Sequence, residues 1–120
     1  MQPITDVKLV NLTPHPLHFF AGDGCELVFE PAGSPARVEQ TRALVLDLVT
    51  SDGHNAPVTQ SSFGEVTGLP EPQPNTFYVV SLITAQALKA IGRTDDILIV
   101  DAAVRDEQGH IVGCRGFARV

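Results

Sequence analysis

A chain of 120 residues, 43% hydrophobic and 18% charged, is long enough for one hydrophobic core, too short for two, and far from the polar compositions that stay unfolded. One domain spanning 1–120 is therefore expected. The net charge of −6 disfavours duplex nucleic acid and anionic membrane as partners, because binding either relies on Lys and Arg displacing counterions.

No segment approaches the roughly 18 apolar residues of a membrane span, and the start, Met1-Gln2-Pro3-Ile4-Thr5-Asp6, lacks the basic and then apolar profile of a signal peptide. Cys25 and Cys114 stand too far apart for a close-spaced framework and read as two reduced, half-buried thiols. A cytoplasmic protein is the expectation.

Val7 to Leu12 reads as a first strand, stopped by Thr13-Pro14-His15-Pro16, since neither proline can donate to a ladder. Leu17 to Phe20 and Cys25 to Glu30 flank Ala21-Gly22-Asp23-Gly24, where Asp-Gly supplies the positive φ of a tight hairpin. After the turn cluster Pro31-Ala32-Gly33-Ser34-Pro35, a short strand is expected over Ala36 to Glu39. Ala43 to Val49 fits a buried strand or two turns of helix about equally by periodicity; its shortness, its branched residues and the Ser51-Asp52-Gly53 that closes it favour strand. Val58 to Phe63 returns antiparallel, and Gly64 to Thr76, with three prolines and two glycines, reads as a long ordered loop or a bulged edge.

Phe77 to Val80 leads into Ser81, placed to cap a helix over Leu82 to Ile91, and Gly92 sits where a left-handed C-terminal cap belongs. Ile97 to Val100 is an apolar run of the kind covered on both faces, so strand, helix and strand are expected to form one crossover. Ala103 to Val120 reads as a hairpin around Asp106-Glu107-Gln108-Gly109, with Gly113 and Gly116 marking bulges or close backbone approach. These elements together predict an α+β, mostly β fold: a bent antiparallel sheet or small partly open barrel with one helix.

No motif is specific enough to name a reaction. His15 and His18 form H-x-x-H, but Pro14 and Pro16 forbid the helix that would aim both at one zinc ion, so neither a metal nor any other cofactor is expected. Ser81 lies at a strand-to-helix corner, yet Val79 and Ile83 replace the glycines of G-x-S-x-G, and capping accounts for it. Glu65 and Glu71 could form an acid/base pair, but nothing fixes their separation. Arg105, Arg115 and Arg119 crowd the tail and leave room for a small anion pocket. Arg93-Thr94-Asp95-Asp96 reads as a solvated turn in which Asp95 turns the backbone, unless Arg93 folds back beside His15 and Arg37 to make a cationic pocket.

Read together, Asn11-Leu12-Thr13-Pro14-His15, Ser34-Pro35-Ala36-Arg37-Val38, Phe63-Gly64-Glu65-Val66 with Gly68-Leu69-Pro70, Thr76-Phe77-Tyr78-Val79-Val80-Ser81 followed by Arg93 and Asp95, and a tail from Val104 to Cys114 resemble a family of small uncharacterised bacterial and phage-associated proteins. The resemblance covers most of the chain and implies genomic company with prophage genes, which suits an accessory or counter-defence binding protein. Val100-Asp101-Ala102-Ala103 departs from the family pattern, which has Pro-Gly-type residues before the last hairpin.

The leading expectation is a non-catalytic binding module in which Asn11, His15, Arg37, Ser81, Arg93 and Asp95 hold a small anionic ligand or a protein partner's carboxylate. A small hydrolase or isomerase using His15 as general base is the second reading, and a structural protein that forms homo-oligomers is the third.

Overall fold

The computed structural model describes residues 3–120. Six strands form one mixed sheet in the order β1, β6, β7, β8, β2, β3. These are β1 (Lys8–Asn11), β2 (Leu17–Phe20), β3 (Glu26–Phe29), β6 (Thr76–Val79), β7 (Ile97–Arg105) and β8 (Ile111–Ala118). The β1–β6, β6–β7 and β2–β8 pairs run parallel; β2–β3 and β7–β8 run antiparallel. Just beyond β3, Pro31 bridges back to Asn11 at the end of β1. The first and last strands of the order thus meet, and the sheet is a nearly closed, partly open barrel, mixed in direction where a wholly antiparallel sheet was the other expectation.

The turns sit where the sequence sets them. Gly24, Gly53 and Gly109 each take a positive φ (91°, 89° and 84°) in the tight connections of three hairpins. Gly113 lets β8 lie against β2, because a Cβ there would meet the His18 carbonyl at 2.6 Å. Gly116 has open space around it and pairs in register with Asp101. Of the two glycines expected to mark a bulge or close approach, Gly113 does so, with the ladder shifting beside it between Val104 and Arg105 on the facing strand.

A single helix, α1 (Leu82–Ala90), joins β6 to the parallel β7 as expected. Ser81 Oγ accepts from the Thr84 N–H and caps its start. At its other end Gly92, with φ 87°, closes a Schellman turn in which the Arg93 N–H donates to the Leu88 carbonyl and the Gly92 N–H to Lys89. The inner face of α1, through Thr84, Ala85, Ala87 and Leu88, is buried. Ala85 and Leu88 pack with Leu12, Tyr78, Val80 and Ile97 into the hydrophobic core between helix and sheet. On the far half of the barrel, Phe19 stacks on Phe117 at 5.5 Å between ring centroids.

The remaining two strands, β4 (Arg37–Val49) and β5 (Asn55–Thr67), pair only with each other. Gln40-Thr41-Arg42, expected to lie between two short strands, and residues 64–67 of the expected loop are absorbed into this one long hairpin, while residues 68–75 form a loop as expected. Its base touches α1, and Val66 packs on the core. Its outer part leaves Leu44, Leu46, Leu48 and Val49 about half exposed or more. The hairpin gives the molecule extents of 59 × 39 × 31 Å and a radius of gyration of 18.4 Å, against about 14 Å for a compact domain of this length.

Candidate functional site

The cleft that gathers expected site residues lies where the first loop, the start of β4 and the start of α1 converge. It has a volume of about 340 Å³ and includes Leu12, Thr13, Ala36, Arg37, Gln40 and Ser81 in its lining. Backbone bonds fix this meeting point: the Leu12 N–H donates to the Val79 carbonyl, and the Ala36 N–H to the Leu12 carbonyl, each at 2.9 Å. Arg37 is thereby delivered to the rim one residue after a buried alanine. No carboxylate among the described residues lies within ion-pair distance of it.

The first turn of α1 contains no acidic residue, so its free N–H groups and the positive end of its dipole are not neutralised locally. Ser81 Oγ is engaged inside the cap, accepting from the Thr84 N–H and donating to Thr84 Oγ1 at 2.9 Å. The cleft therefore offers an unpaired guanidinium, a helix N-terminus and the neutral polar side chain of Gln40 above an apolar floor. Such a surface suits an anion with an apolar body.

Asn11 is 2% exposed, and its side chain is fully committed to the fold. Its Nδ2 donates to the carbonyls of His15 (2.7 Å) and Phe29 (2.9 Å), while its Oδ1 accepts from the Thr13 N–H (2.9 Å) and Oγ1 (2.6 Å). Two donors and two acceptors exhaust an amide. Asn-Leu-Thr-Pro-His is thus a knot that ties β1, its following loop and β3 together. The His15 ring is exposed and has no hydrogen-bond partner among the described residues; only its carbonyl takes part in the knot.

Arg93 is not among the residues that line this cleft. Its Nη2 donates to Asp96 Oδ2 (2.9 Å) and to the Pro70 carbonyl (2.8 Å), its Nε to Asp96 Oδ1 (3.3 Å), and the guanidinium lies over the Tyr78 ring. The pair is mostly shielded from solvent, with side-chain exposures of 22% and 15%. It pins the Pro-rich loop to the exit of α1, and the partner is Asp96 where the sequence drew attention to Asp95. Asp95 is exposed, and its carbonyl accepts from Arg119. Arg105 reaches the Gly109 carbonyl within its own hairpin. His15, Arg37 and Arg93 therefore do not converge on one cleft, nor do the tail arginines make a common pocket.

The cysteines differ in setting. Cys25 is exposed, while Cys114 is buried, and burial pushes its thiol above the ordinary value. His18 pairs with Glu26 at 2.7 Å, and among the described residues no three His, Cys, Asp or Glu side chains gather closely enough to hold a metal ion. Among the described residues no helix is long and apolar enough to cross a membrane. Set beside known proteins, the chain matches no family model, no curated protein and no solved structure.

Proposed function

We propose that this protein is a binding module that holds the carboxylate or phosphate of a small anionic ligand, or a partner's carboxylate, in the cleft between Arg37 and the start of α1. The observation that carries this reading is that no carboxylate among the described residues pairs with Arg37, beside a helix N-terminus with no acid in its first turn. An incoming anion would meet two sources of positive potential without first displacing an internal partner. The alternative with His15 as general base lacks the orienting partner such a residue needs.

The family resemblance supports an accessory role in the company of prophage genes, and the free thiols of Cys25 and Cys114 suit a reducing cytoplasm. The test is a thermal-shift screen against nucleotides and organic acids. An anion that raises the melting temperature of the wild type, fails to do so for Arg37→Ala and retains its effect on Arg93→Ala is the expected result. No stabilising anion, or equal stabilisation of Arg37→Ala, would remove the proposal.

A further inference from the structure

The β4–β5 arm is a two-stranded ribbon, a form that is marginal in water without a third strand or a helix to cover it. Beyond its base it presents Leu44, Val45, Leu46, Leu48, Val49 and Phe63 at exposures from 43% to 70%. We propose that two copies of this chain pair through the outer edge of β4, antiparallel about a two-fold axis, with Arg42 of each copy opposite Asp47 of the other.

Three features of the arm select this occupant and this register. The first is which edge is open. β5 carries Pro57, which has no N–H to offer a ladder, whereas β4 contains no proline from Arg37 to Val49. β4 is therefore the edge able to accept another strand.

The second is charge. Arg42 pairs with Ser61 and Asp47 with Pro57 across the hairpin; Ser61 and Pro57 are an even number of residues apart, so Arg42 and Asp47 share one face. They do so only because the ladder shifts by one residue between Leu44 and Leu46, leaving Val45 as an insertion. A two-fold axis between Leu44 and Val45 then sets Arg42 against Asp47 twice. On the opposite face the same axis sets Ala43 against Leu46 and Thr41 against Leu48, and these four also share a side by their partners Gln60, Val58, Ser62 and Ala56. These pairs thus match in face, and the charged pairs are opposite in sign.

The third is area. Half-exposed side chains of this size present roughly 80 Å² each, so the five on β4 offer about 400 Å² per copy. A reciprocal contact thus has about 800 Å² of apolar surface to draw on, and the paired backbones with their polar neighbours carry it toward the about 1,200 Å² at which stable interfaces begin. The product is a four-stranded antiparallel sheet in the order β5, β4, β4 and β5, with a barrel at each end.

Sedimentation velocity of the full chain over a dilution series tests this. A concentration-dependent dimer is expected, with Arg42→Asp and Asp47→Arg each weakening it at least about tenfold, since each sets like charges face to face. The double variant R42D/D47R restores the pair in mirrored sense and should return the dissociation constant to within about threefold of wild type. Circular dichroism melts of the dilute single variants, unchanged from wild type, show that the barrel is intact. A monomer at every concentration, a dimer indifferent to the single reversals, or a double variant no tighter than the weaker single one would each overturn the proposal; the second outcome would place self-association at another surface.

Discussion

Leu88 and Leu46 are the same side chain in two settings. The first is 1% exposed on the inner face of α1, the second 57% exposed on β4. In the half of the barrel under α1, residues of β1, β6 and β7 share a core with the helix, so burial and hydrogen bonding support one another. In the arm the ladder of β4 and β5 stands almost alone, and the apolar side chains on it contribute little to folding in isolation. The contrast teaches that apolar content in this chain reports two things: an interior in one region and a surface awaiting a neighbour in the other.

The comparison breaks most visibly under truncation. Leu88→Ala should lower stability by about 3 kcal/mol through lost transfer energy and a cavity. Leu46→Ala, at concentrations too low for association, should change it by less than about 0.5 kcal/mol. Urea unfolding of both variants checks this, and equal losses would mean that the arm is covered in solution by its own chain. Next in size is Asn11→Ala, which leaves the Phe29 and His15 carbonyls and the Thr13 N–H without their partner. A loss of about 2–3 kcal/mol is expected from these unsatisfied groups; an unchanged midpoint would show that the knot is ornamental.

The smallest effect has the opposite sign. Ala102 adopts a φ of 53° within β7, a region where a Cβ costs about 1–2 kcal/mol. Ala102→Gly relieves that strain, offset in part by the greater freedom of glycine in the unfolded chain, and should stabilise by about 0.5–1 kcal/mol. A melting temperature that falls would refute the reading of this position as strained.

Local chemistry was legible before any coordinates. Asp23-Gly24 and Asp52-Gly53 marked their turns, Ser81 and Gly92 bounded the helix, and the strand, helix and strand formed the parallel crossover, because each of these signals is satisfied within a few residues of itself. The antiparallel return of the arm is legible, but β4 reads as two short strands because hydrophobic periodicity records burial, and Gln40-Thr41-Arg42 sits on a ribbon that buries neither face. Of the expected site, Arg37 and the start of α1 meet in one cleft. Arg93 does not, since its choice of Asp96 and of the Pro70 carbonyl, 23 residues away, depends on where the loop returns. Asn11 likewise bonds to Phe29, 18 residues on, a distance over which residue type alone carries no signal.

The barrel is joined at a point and not along a line. Between β1 and the chain leaving β3 the described residues show one isolated bridge, Asn11 to Pro31, which includes the bond from the Ala32 N–H to the Asn11 carbonyl, and the single amide described above. Six twisted strands left to themselves splay into an open propeller, so the curl of the cylinder is held by a clasp rather than a weld. It can unroll at that spot while every ladder elsewhere stays intact, which makes its shape separable from its secondary structure.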